Sequence, residues 1–208
     1  LNEAKKEKEN LEKILSDSKK PIIFCEGTSD VSILQKAFRK LYNLELFDNK
    51  VIIEGSNGEG EVGNKVKNNK TENIIIGILD NDLAGQKQRD SIIRNHNFKE
   101  IDDIHCANGN NHLVILPIPE FRKSSAVYFE KKTFIEYLFS DETLEQKLQV
   151  DLTEHRGETF KRFDDSKIDS IKSQIIKNID KLEKYDFIYF EPLFEEIAKI
   201  IKYQLPSV

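Results

Sequence analysis

The strongest constraint on this chain is a set of short, β-branched apolar runs that each stop at an acid followed by a Gly- or Asn-containing turn. IIFCEGTSD carries Glu26 at such a stop, and IIIGILDND carries Asp80 and Asp82. Runs of this length bounded by turn residues read as buried strands. The acids then stand at the carboxyl ends of strands, where open α/β sheets place their ligands. Carboxylates converging there repel one another unless cations sit between them, and hard oxygen donors suit Mg2+.

The order of elements supports convergence. Residues 1–19 read as a charged helix with Leu11, Ile14 and Leu15 on one side, a linker from a preceding region. Pro21 ends it and PIIFCE forms the first strand. Thr28, Ser29 and Asp30 suit a helix start, and Val31, Leu34, Ala37, Phe38 and Leu41 follow at helical spacing. A second strand, KVIIE, ends at Glu54. It enters GSNGEGEVGNK, with four glycines in nine residues, before a short helix over 62–70. NIIIGILD is the third strand. Residues 101–106 and 112–118 are two more, joined at Asn108-Gly109. After Pro119, TFIEYLFSDETLEQKL, DSKIDSIKSQIIKNIDKL and FEPLFEEIAKIIKYQL are helical in period with no further strand-like run. The expected fold is α/β, a mostly parallel sheet flanked by helices, over 20–140, with a helical extension over 141–208 packed on it. Glu26 and Asp80 are 54 residues apart, and consecutive parallel strands with right-handed crossovers bring such positions together.

Composition narrows the classes. No run approaches the ~18 apolar residues of a membrane span and no signal peptide is visible, so a cytoplasmic, membrane-free protein is expected. Cys25 and Cys106 have no metal-ligand spacing and read as core thiols in a reducing compartment. A chain without methionine that opens LNEAKKEKENLEKIL is expected to be part of a longer protein. The net charge of −5 is a poor footprint for nucleic acid, although the acids of the site account for part of it. Basic residues cluster as Lys65, Lys67 and Lys70, and as Arg156, Lys161, Arg162, Lys167, Lys172 and Lys177; solvated helix faces are the alternative reading. His96, His105, His112 and His155 show no zinc spacing, and the Gly-rich loop lacks the Gly-Lys-Thr/Ser ending of a Walker loop.

Glu26-Gly27 after an apolar strand, Asp30 four residues on, a Gly-rich second loop, and LDND followed by Ala84-Gly85 together resemble a Toprim domain over about residues 20–140. That is the metal-binding fold of type IA and type II topoisomerases, bacterial primases, small ribonucleases and OLD-family nucleases. EGTSDVSILQKAF resembles the OLD-like and related bacterial defence members. The resemblance implies that Asp80 and Asp82 hold the principal Mg2+, with Mn2+ able to substitute, and that Glu26 bridges to it or acts as general acid/base. Asp30 and Glu136 would complete a second metal site, giving two ions. A lysine would stabilise charge on the scissile phosphate: Lys167, with Lys161 and Lys172 as rivals. Gly55, Gly58 and Lys65 would line the cleft facing the phosphodiester. Each outer residue keeps a plainer alternative: a first-turn helix acid at Asp30, a solvated helix residue at Glu136, a surface lysine at Lys167, a flexible loop at the glycines.

The activity implied is a Mg2+-dependent endonuclease acting on nucleic acid, DNA before RNA, within an ATPase-linked anti-phage defence protein. The ATPase, or another N-terminal module, would be in the same or a partner chain; homo-oligomerisation is left open. Strand transfer of the primase or topoisomerase kind is the alternative, but the tyrosine domain or zinc-bearing template module it needs is absent from this sequence. A receiver-like signalling domain would want its acidic pair after strand one and a Lys after strand five. Here the pair follows strand three and the next Lys is Lys123. A dehalogenase-type phosphatase would want its Asp-x-Asp on the first strand and Thr where Ala84 stands.

Overall fold

The computed structural model describes residues 19–123, 132–154 and 161–207. The linker helix expected over 1–19 lies, but for its last residue, outside them, as does Arg156. In chain order the first part comprises β1 (Ile22–Cys25), α1 (Thr28–Tyr42), β2 (Ile52–Gly55), α2 (Glu59–Asn68), β3 (Ile75–Leu79), a two-residue β4 (Asn81–Asp82) and α3 (Leu83–Asn95). It continues with β5 (Lys99–Glu100), β6 (His105–Asn108) and β7 (Asn111–Ile115). Six strands form one sheet in the order β2-β1-β3-β7-β6-β5. The first four run parallel, and the β7–β6 and β6–β5 pairs are antiparallel. The fold is therefore the expected α/β class, a mostly parallel, Rossmann-like sheet with helices on both faces.

All five residues of β3 are buried. A central parallel strand is covered on both faces, so its sequence shows continuous apolarity rather than alternation. Ile23, Cys25, Ile76, Ile78 and Val114 point to one face, under Ile33, Leu34, Ala37, Phe38 and Leu41 of α1. Phe24, Ile75, Leu79, Leu113 and Ile115 point to the other, under Val62 and Val66 of α2 and Ile92 of α3. At Gly77 a Cβ would come within 2.9 Å of Val62, Val66 and Leu113, so glycine lets α2 lie close against the sheet.

Three features differ from the sequence reading. Lys99–Glu100 and His105–Asn108 replace a strand over 101–106, because the Asp102 carboxylate accepts the N–H groups of Ile104 and His105 (both 2.9 Å) and turns the chain. The β6–β7 turn falls on Gly109-Asn110, where Gly109 supplies φ +60° at the first turn position. The segment TFIEYLFSDETLEQKL is not one helix. It contains β8 (Lys132–Thr133), paired with β4, then a single 3-10 turn (Ile135–Leu138) and a π turn (Thr143–Lys147). Its run of buried side chains, Ile135 to Phe139, leaves no polar face to build an amphipathic helix on. Ser140 then restarts the chain by accepting the Thr143 N–H at 3.1 Å.

A two-residue pair, β9 (Thr153–Glu154) with β10 (Lys161–Arg162), precedes α4 (Ile168–Asn178) and α5 (Glu191–Ile201). The 141–208 segment does not stand apart. Ile171, Ile175, Phe190, Phe194 and Ile197 share one core with Ile23 and Phe38, and the Phe194 ring lies 5.1 Å edge-on from Phe38.

The connections locate a crevice. From β1 the chain crosses to β2 on one side, and from β3 it proceeds to β7 on the other. The carboxyl ends of the adjacent β1 and β3 are thus the point where strand order reverses, and connections leaving in opposite directions open a ligand crevice there. Glu26 and Asp80 are the residues that follow those two strand ends.

Candidate metal centre

The two strand ends are tied together by the acids themselves. A Glu26 carboxylate oxygen accepts the Asp80 backbone N–H at 2.8 Å. Gly27 caps α1 in extended conformation, and Asp30 turns back to accept its N–H at 2.9 Å. Asp80 is buried and accepts the Ile135 N–H at 3.1 Å, which brings the 3-10 turn carrying Glu136 over the crevice. Asn81 points the other way, donating to the Leu116 carbonyl (2.9 Å) and accepting from Gln86 (2.7 Å). Asp82 caps α3 by accepting the Gly85 N–H at 2.7 Å. A Cβ on Gly85 would lie 2.1 Å from the Asp80 carbonyl oxygen, so only glycine lets α3 start this close to the strand end.

Asp30, Asp80 and Glu136 gather around one ammonium, and it belongs to Lys172. Its Nζ lies 3.0 Å from Asp30 and 3.7 Å from Glu136. Lys172 flanks the buried Ile171/Ile175 stripe of α4, a position at the edge of an apolar face. Lys167 does not join the cluster. It precedes the first turn of α4, is 70% exposed, and pairs with Asp164 at 3.5 Å. Lys161 lies on β10 and not on α4. Glu136 is 0% exposed, and neither of its carboxylate oxygens has a hydrogen-bond partner. It is not the solvated helix residue that its sequence context also allowed.

The glycine-rich loop is placed differently from the cleft lining expected of it. A Cβ on Gly55 would come within 2.7 Å of the Thr28 nitrogen, so Gly55 packs under the turn that carries Glu26. Gly58 adopts φ +87° and donates its N–H to the Glu26 carbonyl at 3.0 Å. Lys65 pairs with Glu61 (3.0 Å) and Ser56 (3.2 Å) over the Phe24 ring. The contacts of Gly55 and Gly58 lie against the Glu26 turn, and the polar contacts of Lys65 lie within its own loop and helix.

Electrostatics follow from burial and like charge. Burial, aided by Asp82 and Asp30, raises the Glu26 carboxyl to about 7 against the opposing Asp80 N–H. Burial likewise raises Glu136 to about 7, with Lys172 pulling it down and Asp30 pushing it up. Asp80 is raised well above the usual carboxylate range by burial, Glu26 and Glu136. Burial raises Asp82 too. Burial alone would lower Lys172, but Glu136, Asp30 and Asp80 overcome it and hold the ammonium charged. The Cys25 thiol, at the same crevice, is pushed far up by burial and by Asp30, Asp80 and Glu26, so it is an inert neighbour.

Glu26, Asp80 and Asp82 are the residues that could hold a divalent cation, although among the described residues no three of the switch-point acids bring ligand atoms within 4.8 Å of one another. Asp30 and Glu136 pair with the one lysine, Asp80 acts on it electrostatically, the donors are all oxygen, and the buried Glu136 oxygens lack any hydrogen-bond donor. A void of about 10 Å3 touches Cys25, Glu26, Asp30 and Asp80, about the room one water needs.

A second polar cluster escaped the sequence reading. The antiparallel β6–β7 pairing brings His105 and His112 together, nitrogen to nitrogen at 3.0 Å, and His105 Nδ1 meets Glu196 of α5 at 2.8 Å. Donor atoms of Asp102, His105 and Glu196 lie within 4.8 Å of one another, closer than the switch-point acids approach in threes. Their spacing in sequence follows no metal pattern, and only hairpin register could have revealed the pair.

No family model matches the chain, and no curated protein or solved structure matches it significantly. Among the described residues no helix is long and apolar enough to cross a membrane.

Proposed function

We propose that this chain is a divalent-metal-dependent nuclease of the Toprim kind, hydrolysing phosphodiester bonds in nucleic acid, DNA before RNA. The observation that carries the reading is the assembly of Glu26, Asp80, Asp30, Glu136 and Lys172 at the carboxyl ends of β1 and β3. Glu26 and Asp80, 54 residues apart in sequence, meet at the strand-order switch where ligands bind.

Asp80, Asp82 and Glu26 would hold a Mg2+ or Mn2+ ion, which in such a site neutralises phosphoryl oxygens and lowers the pKa of a bound water. Glu26, with its carboxyl raised to about 7, is suited to exchange a proton near neutral pH. Lys172, rather than Lys167, supplies the positive charge beside the reacting phosphate. Asp30 and Glu136 keep that ammonium charged and in place. An ATPase or other module in the same or a partner chain, and a role in anti-phage defence, belong to the same proposal.

Plasmid and tRNA incubated with Mg2+ or Mn2+, and with EDTA, test it. Cleavage that requires the ion and falls about 10²–10³-fold in Asp80→Ala supports the reading. Ion-independent cleavage, or full activity in Asp80→Ala, sinks it.

A further inference from the structure

We infer that the Asp30–Glu136 half of the centre is a cation site whose resident cation is the protein's own Lys172, so that the resting protein takes one divalent ion, at Glu26, Asp80 and Asp82, and not two. This rests on reading the cluster as a metal centre.

Three observations carry it. Glu136 is completely buried with both oxygens lacking a hydrogen bond, a state that an ionised carboxylate tolerates only beside a cation. The Lys172 ammonium is the group that meets this need, 3.7 Å from Glu136 and 3.0 Å from Asp30. It is within ion-pair reach of both acids, so an ion bridging them would compete with it for the same oxygens. The void beside these acids measures about 10 Å3 and touches Glu26, Asp30 and Asp80 as well as apolar side chains such as Leu34, Ile78 and Leu116, with neither Glu136 nor Asp82 among its walls. That is room for about one water-sized species. A second ion would have to displace the ammonium.

Lys172 has somewhere to go when forced. Its side chain is 20% exposed and opens onto a groove between α1 and α4 lined by Thr28, Ser29, Ser32, Asp169 and Ser173. The exclusion is therefore competitive, set by the ammonium's preference for the two buried acids over Asp169, hydroxyls and water in the groove. Removing the ammonium frees the pair for a second ion.

Mn2+ titration followed by the electron paramagnetic resonance of the free ion reads this without any activity assay. The wild type is expected to bind one ion. Lys172→Met is expected to bind two, and the double variant Lys172→Met/Glu136→Gln one again. Lys172→Arg, which keeps the charge, should stay at one. Glu136→Gln with Lys172 intact provides a check that does not require the methionine variant to fold: it should leave the single ion bound with its affinity changed less than threefold. A wild type that binds two ions, losing one in Glu136→Gln, overturns the inference and leaves the metal-centre reading standing. So does a folded Lys172→Met that still binds one. A wild type that binds none overturns both.

Discussion

Two buried clusters of titratable side chains flank the same sheet, and they are built on opposite terms. In the His105–His112–Glu196 cluster each ring nitrogen of His105 has a partner, at 2.8 and 3.0 Å, and Lys199 meets the other Glu196 oxygen at 3.2 Å. Asp102 spends its carboxylate on two backbone N–H groups. In the Glu26–Asp80–Glu136 cluster the carboxylates outnumber the single ammonium, and neither carboxylate oxygen of Glu136 has a hydrogen bond. The histidine cluster packs its donors more tightly, yet it is the satisfied one. Closeness of donor atoms identifies a polar tie; buried charge left uncompensated identifies a place prepared for something else.

The largest difference should appear as a pH dependence of stability with opposite signs. Glu26 and Glu136 titrate near 7 in the folded chain, against about 4.5 for an ordinary glutamate. Between these values the folded state holds the extra proton, so stability is full below about 4.5 and falls as pH rises through 7. Without metal, urea unfolding should show a loss from the Glu136 site on the order of 2–3 kcal/mol across that window. Glu136→Gln should flatten it, and Mn2+ should restore stability above pH 7. His112 is depressed to about 4, by burial and His105, from an ordinary value of 6.5. Its contribution is present above 6.5 and is lost as pH falls through 4, so His112→Phe should remove an acid limb only. An apo protein whose stability rises steadily from pH 5 to 8 would break the comparison.

Gly85→Ala probes the backbone under the acid cluster. The added methyl meets the Asp80 carbonyl oxygen, which is main chain and cannot rotate away. A loss of about 1–3 kcal/mol is expected, together with impaired ion binding, because the strand end that presents Asp80 must shift. His105→Phe should cost a similar or slightly smaller amount, about 1–3 kcal/mol, through the unpaired Glu196, with cleavage rate unchanged. A zinc-dependent rise in Tm that His105→Phe abolishes would make the histidine cluster a metal site and erase the contrast.

How much of this was readable in the sequence depends on how local the cause is. Glu26, Asp80 and Asp82 were legible because each follows a strand whose apolarity is continuous, and the position of a strand end is a local property. The α/β order was legible for the same reason. Glu136 was reachable only by resemblance, since the helix drawn around it is a single 3-10 turn held by the Asp80 carboxylate, a contact 55 residues away. The histidine pair depends on hairpin register, which the Asp102 turn displaced from the expected strand. Gly55 and Gly58 stand out in the sequence as part of a glycine run; in the structure they provide close packing and positive φ beside the Glu26 turn, and nothing in a run of glycines separates that from a substrate loop.

The smallest effect sharpens the boundary of the acid cluster. Lys167 and Lys172 lie five residues apart on the same segment, and a sequence rich in lysine does not distinguish them. Position on the helix does. Lys172 stands beside Ile171 at the edge of the buried stripe and turns inward, whereas Lys167 precedes the helix and meets only the exposed Asp164. An exposed pair of this kind contributes at most a few tenths of a kcal/mol. Lys167→Ala should therefore leave urea stability within about 0.5 kcal/mol of wild type and leave both Mn2+ affinity and cleavage rate unchanged. A loss of ion-dependent cleavage in Lys167→Ala at unaltered stability would mean that the positive charge facing the phosphate comes from outside the Asp30–Glu136 pair, and the centre would then extend to the start of α4.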